Sequence, residues 1–274
     1  MSIFDAFRYD GKRVLVVGGA TGMGAAAAEL VLDAGAEVVV MDYAEVTLAG
    51  AKAVSVNLAE QASIDAAIDE CGPVDVIMAC AGVADGTPGI ERINFVGHRH
   101  LIDRMIELGN LGAGGAIAFI SSAAGLGWEA NIEAIKGALE TTDFDSGAAW
   151  FHENEKADYY HTKQVVCAYV ASQAFPMLQK GIRINAICPG PTETPLALAN
   201  EDTWLAFGAD YREALQIEAS TPQEQAYPLV FLCSDAAIAV NGITMITDAG
   251  YMSSGITESF PEATFLAKLL MGRS

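Results

Sequence analysis

The chain has 274 residues, 52% of them hydrophobic, with 35 acidic against 15 basic side chains and a formal charge of −20. That length and apolar content suit one large domain with a buried core, and the charge repels phosphate backbones and anionic membranes, so neither nucleic acid nor a membrane is expected as a partner. The longest apolar runs fall far short of the roughly 20 residues of a spanning helix, and Met1-Ser2-Ile3-Phe4-Asp5 lacks the basic start and apolar core of a signal peptide, which predicts a cytoplasmic protein.

Short apolar, β-branched runs at 13–17, 37–41, 53–56, 74–78, 116–120, 182–187 and 243–246 read as strands buried on both faces. Helix-sized segments at 24–34, 62–71, 89–108, 158–179 and 222–234 fall between them. Strand and helix alternating in this way predict an α/β fold: a single doubly wound Rossmann-type domain over 1–274, with a mostly parallel seven-stranded sheet and helices on both faces. Two stretches break the rhythm. Segment 126–156 is too long for a structureless loop, and Trp128, Ile132, Ile135 and Leu139 at near-helical spacing predict a helix within it. Segment 195–221 carries Trp204, Leu205, Phe207 and Tyr211 among polar residues and reads as an amphipathic flap. Each follows a strand at its carboxyl end, where open α/β sheets place their sites. Surface decoration and a substrate lid are both open readings for each. The tail at 251–274 contains a short apolar helix at 261–271, placed to close over the site or to meet a neighbouring subunit.

The five cysteines, Cys71, Cys80, Cys167, Cys188 and Cys233, form no Cys-x-x-Cys pair and read as structural thiols. The four histidines have no zinc spacing, and His98 and His100 read as ordinary helix residues, so no metal site is expected. Gly18-Gly19-Ala20-Thr21-Gly22-Met23-Gly24 joins the first strand to an alanine-rich helix, the context a phosphate cradle requires. Glycines let the chain turn tightly, and free amides at the positive helix end receive the charge. Asp42 closes the second strand about 20 residues later, where a carboxylate accepts hydrogen bonds from ribose hydroxyls. No Lys or Arg lies between Gly18 and Gly50 to neutralise a 2′-phosphate, which favours NAD over NADP.

Tyr159 and Lys163 are four apart, one turn along a helix. An unperturbed Tyr has a pKa of about 10, so a base working near neutrality needs about 4 kcal/mol of stabilisation of its anion. A cation 4 to 5 Å away at an effective dielectric near 20 supplies on the order of 4 kcal/mol. Tyr160 is the competing phenol.

Together these residues resemble the short-chain dehydrogenase/reductase family over nearly the whole chain. Gly18, Gly22 and Gly24 match its cofactor turn, and Asn57-Leu58 sits where the family flanks the adenine. Cys80-Ala81-Gly82 replaces its usual Asn-Ala-Gly, putting one backbone-bracing hydrogen bond in doubt. Asn94, Ser122, Tyr159 and Lys163 match its catalytic residues, and Pro189, Gly190, Thr192 and Thr194 its segment beside the nicotinamide. The resemblance implies an NAD-dependent oxidoreductase with Tyr159 as acid and base, Ser122 holding the substrate oxygen, Lys163 lowering the tyrosine pKa and gripping the nicotinamide ribose, and Asn94 holding a water. It implies a homodimer or homotetramer, with the Asn94 and Tyr159 helices commonly buried between subunits. The long Ser122-to-Tyr159 spacing is similar to the bacterial 3α-hydroxysteroid dehydrogenase/carbonyl reductase subgroup, to which coniferyl-alcohol dehydrogenases also look related. A bulky apolar alcohol or ketone of steroid, terpenoid or phenylpropanoid type is therefore the expected substrate. The alternatives are a 3-hydroxyacyl thioester dehydrogenase/reductase and a non-catalytic NAD-binding sensor.

Overall fold

The computed structural model describes residues 2–273, so the first and last residues of the expected domain lie outside the described residues. Seven strands, β1 (Arg13–Val17), β2 (Glu37–Asp42), β3 (Lys52–Ser55), β4 (Val76–Ala79), β5 (Ala116–Ile120), β6 (Arg183–Pro189) and β7 (Thr244–Thr247), pair in the order β3-β2-β1-β4-β5-β6-β7. Every pairing is parallel. The order reverses between β1 and β4, which opens a crevice beyond their carboxyl ends. Register makes that edge level: Val17 lies opposite both Met41 and Ala79, Ile120 opposite Ile187, and Pro189 opposite Thr247. The residues that follow, including Gly18, Asp42, Cys80, Ser121 and Gly190, therefore emerge along one rim.

Alternation within the buried strands feeds two cores. Leu15, Val17, Val39 and Met41 face one side, and Val14, Val16, Val38 and Val40 the other. The second face is covered by α1 (Gly22–Asp33) and α10 (Pro222–Cys233) through Ala27, Val31, Ala226 and Leu229. The first is covered by α2 (Gln61–Cys71), α3 (Gly97–Glu107) and α6 (Tyr159–Gln179) through Ile64, Leu101, Val165 and Val166. The edge strands depart from the expectation of full burial, because β3 has only Val54 buried and every residue of β7 is half-buried. The helix expected over 89–108 is not uniform: Arg92–Val96 forms a π turn that runs directly into α3.

Segment 126–156 holds two helices rather than one, α4 (Ile132–Glu140) and α5 (Phe144–Glu153). They pack on the first face through Ile135, Ala138, Phe144 and Phe151. Buried Arg99 ties them down by donating to the carbonyls of Ala138, Thr141 and Asp143, each at 3.1 Å. Part of the surface that the family resemblance would bury between subunits is thus covered by the chain's own residues. The flap at 195–221 comprises α7 (Pro195–Leu198), α8 (Glu201–Trp204) and α9 (Ala209–Leu215), and the tail comprises α11 (Tyr251–Ile256) and α12 (Thr264–Leu270). Among the described residues no helix is long and apolar enough to cross a membrane.

Candidate active site

Two cavities meet at the rim. The first, of about 350 Å³, is floored by Ser122, Tyr159 and Lys163 and lined by Pro189, Gly190 and Thr192. The second, of about 580 Å³, runs along Gly18, Thr21, Gly22, Met23 and Gly24 to Asp42, Asn57 and Leu58, with Ala81 on its far wall. Met23, Cys80, Gly82, Thr194 and Leu196 line both. All the sequence-predicted site residues except Asn94 therefore border one continuous crevice.

The glycines of the turn are sterically required. Gly18 has φ +85°, and a Cβ there would overlap the backbone of Ala81; a Cβ on Gly24 would overlap the Gly18 carbonyl oxygen. Thr21 precedes α1 in extended backbone without a side-chain capping bond. The first-turn amides of Gly22, Met23 and Gly24 are left for an anion in the crevice, a fit to a dinucleotide's phosphates. Asp42 accepts from the amides of Ala20 and Ala44, both at 2.9 Å, which fixes its carboxylate at the crevice end. Among the described residues no Lys or Arg borders this cleft. Asn57 spends its side chain locally, accepting from Ala59 N at 3.1 Å and donating to Glu60 at 2.9 Å.

Two carboxylates set the start of α6. Asp158 caps it by accepting from His161 N at 2.8 Å, and Asp85 accepts from Tyr159 N at 2.6 Å. One turn later Lys163, only 4% exposed, donates to the Ile120 carbonyl at 3.0 Å. Its ammonium lies 5.5 Å from the centroid of the Tyr159 ring. Burial pushes Lys163 from 10.5 down to about 8. Burial likewise pushes Tyr159 up to about 12, with the Ser122 side chain pulling it partway back and Asp85 raising it further. Desolvation is the largest cause of both shifts, so the two groups are each moved toward their neutral form. Tyr160 is excluded as the competing phenol: it is 37% exposed, accepts from Gln164 Nε2 at 2.8 Å, and does not border the cavity.

Asn94 is not brought into the crevice. It sits in the π turn, 1% exposed, accepting from Val83 N at 2.8 Å and donating to Val83 O at 3.1 Å and to Thr162 Oγ1 at 3.3 Å. One helical turn on, His98 Nε2 lies 3.0 Å from the Ala81 carbonyl, and burial drives its pKa down to about 4, so the ring is neutral and Nε2 donates. Asn94 and His98 together hold the strand-end segment where Cys80 replaces asparagine. His98 was read from the sequence as an ordinary helix residue; its spacing of four from Asn94 is the signal that places both on one helix face.

The flap closes the apolar side. Trp204 and Phe207 border the cavity, and the Trp204 ring lies 4.8 Å from that of Tyr159. Leu266 and Leu270 from the tail line the same cavity, so the tail borders the site of its own chain. No residue of 126–156 borders either cavity, so the structure favours packing over a lid for that segment.

A phosphate-receiving helix at a topological switch point, joined to an apolar cavity with a phenol, a hydroxyl and an ammonium on its floor, defines a dinucleotide-dependent oxidoreductase. Residues 18–252 match a family model described as enoyl-(acyl carrier protein) reductase. The chain belongs to the short-chain dehydrogenase/reductase family. It is 31% identical to cis-4-hydroxycyclohexanecarboxylate dehydrogenase of Sinomonas cyclohexanicum, over 88% of this chain and 96% of that one. It is 28% identical to coniferyl-alcohol dehydrogenase of Pseudomonas sp. (strain HR199 / DSM 7063), over 89% and 97%. A 3-ketoacyl-(acyl-carrier-protein) reductase from Brucella melitensis, solved with NADH, has the same fold with a TM-score of 0.65 at 23% identity, covering 88% and 98%.

Proposed function

We propose that this oxidoreductase uses NAD to interconvert a bulky apolar alcohol and its carbonyl. The observation that carries the reading is the convergence of Ser122, Tyr159 and Lys163 on the floor of an apolar cavity that opens directly into the glycine-turn cleft. A nicotinamide dinucleotide bound there supplies the site for hydride transfer. The amides of Gly22, Met23 and Gly24 would hold its phosphates, and Asp42 its adenosine ribose. Ser122 Oγ donates to the substrate oxygen and steadies the charge developing on it. Tyr159 Oη moves the proton, giving it to the carbonyl in reduction and taking it from the alcohol in oxidation. Its raised pKa keeps the phenol protonated at neutral pH in the free enzyme, ready to act as the acid. Lys163, held by Ile120, sits between the phenol ring and the cofactor side of the crevice. Asn94 and His98 act through the backbone, keeping the 80–83 segment in place.

The cavity walls support an apolar substrate, since among the described residues Lys163 is the only ionic side chain that borders it. Of the two relatives described above, one is named for coniferyl alcohol, a phenylpropanoid that agrees with such a cavity, and the other for a hydroxycyclohexane that also carries a carboxylate. The test is a panel of cyclic, cinnamyl-type and steroid alcohols, with 3-hydroxyacyl thioesters, against NAD⁺ and NADP⁺, read by the absorbance of reduced nicotinamide. Turnover of apolar alcohols with NAD⁺ is expected. Preference for the thioester or for NADP⁺ would overturn that part of the reading, and cofactor binding without turnover of any member would favour a sensor.

A further inference from the structure

We propose that helix α12 sets an upper limit on substrate size, confining this site to alcohols built on one or two rings. The proposal rests on the alcohol reading given above and narrows it. An apolar cavity of about 150 Å³ takes up one benzene, about 25 Å³ per ring atom. By that measure the roughly 350 Å³ cavity, which is open toward the adjoining cleft, surrounds about 14 non-hydrogen atoms between its walls. Gly190 and Thr192 belong to the same cavity, so a nicotinamide ring claims part of that space. What is left suits a substituted cyclohexane or phenyl ring or a compact two-ring skeleton, and falls short of the four fused rings of a steroid.

Two walls enforce the limit, and they differ in how firmly they are held. The flap wall, Trp204 and Phe207, stands on or beside a helix of only four residues. A second wall is α12, whose Leu266 and Leu270 are one turn apart and both border the cavity. Its neighbouring face is anchored: Ala263 and Ala267 are fully buried, and Ala267 packs where a Cβ on Gly255 would lie. The far end is anchored too, since the backbone of Leu270, Met271 and Gly272 occupies the space beside Gly127, which has φ +72° and no room for a side chain. With Phe265 and Leu269 at 79% and 62% exposure, the helix buries Ala267, presents two leucines to the cavity and leaves the remaining face outside. The rigid wall is therefore the one that measures the substrate.

The experiment compares kcat/KM for a cyclohexanol, a cinnamyl alcohol, a decalin-type alcohol and a hydroxysteroid in the wild type, Leu266→Ala, Leu270→Ala and Leu270→Trp. Binding of NADH, followed by fluorescence, is measured in parallel as a check that each variant is folded. The wild type is expected to favour the one- and two-ring alcohols. Either alanine variant should shift the steroid-to-cyclohexanol ratio upward by about tenfold or more, and Leu270→Trp should shift the two-ring to one-ring ratio the other way. Ratios that stay put in all three variants while NADH binds normally would overturn the proposal, as would a wild type that prefers the steroid. Absence of turnover with every alcohol, NADH binding intact, would instead overturn the enzymatic reading and this inference with it.

Discussion

Replacing Lys163 by Met should stabilise the cofactor-free protein at neutral pH and reverse that advantage at high pH. The ammonium is 4% exposed and its pKa falls from 10.5 to about 8 on burial. At about 1.4 kcal/mol per pH unit, holding the charge in place costs the fold about 3 kcal/mol. Methionine removes that penalty but leaves the Ile120 carbonyl without its 3.0 Å donor, a loss of about 1–3 kcal/mol. The net gain at pH 7 is then about 0–2 kcal/mol, and the pH dependence of the difference is the sharper readout. Below pH 8 the folded and unfolded chains both carry the proton, so the penalty is complete. Between pH 8 and 10.5 the folded state has released it and the unfolded state has not, so raising the pH stabilises the wild type. Tyr159, raised to about 12, works the other way only above pH 10, at the edge of the range in which Lys163 acts. Urea unfolding of both proteins at pH 7, 8, 9 and 10 measures that difference directly. A difference that stays constant across the series would refute the claim that a buried, destabilised ammonium stands beneath the cavity.

Tyr159→Phe should bind NADH as the wild type does and lose turnover by at least about 100-fold, measured by steady-state kinetics beside a fluorescence titration; substantial residual activity would move the proton-transfer role elsewhere. Asp42→Ala should narrow the preference for NAD over NADP by about tenfold or more, read as the ratio of kcat/KM for the two cofactors, and an unchanged ratio would remove Asp42 from cofactor selection. Gly24→Ala should lower stability by about 1–3 kcal/mol and weaken NADH binding, because the new methyl overlaps the Gly18 carbonyl oxygen. Thermal unfolding and cofactor titration near wild-type values would show that the turn yields more readily than its packing implies.

The parts of the fold written in local chemistry were legible before any coordinates. Fully apolar runs such as Val14 to Val17 must be buried on both faces, and the glycine turn after them must bend, so the sheet and its rim followed from residue type. Boundaries slipped by one or two residues where a strand end carries mixed signals, as at Val74, which lies just outside β4 although it is buried. What the sequence could not carry were the properties that depend on surroundings. The Tyr159 and Lys163 spacing reveals a pair but says nothing of how dry the pair is, and dryness decided both pKa directions. The role of 126–156 was equally hidden, since an amphipathic pattern reports that a face is buried without naming what buries it. In the folded chain Ile135 and Phe151 pack into the core cluster on the first face of the sheet. His98 escaped notice because a neutral, buried imidazole bonded to a carbonyl leaves no mark on spacing rules aimed at metals.

The covering of the π turn and α6 by α4 and α5 has a bearing on concentration. The helix that carries Tyr159 and Lys163 is braced from outside by Ile135 and Ala138, and the Asn94 turn by Phe151 stacked edge-on against Phe95 with ring centroids 6.1 Å apart. These contacts are made within one polypeptide, so the support that Ile135, Ala138 and Phe151 give the candidate site does not weaken on dilution, whatever other faces of the molecule do.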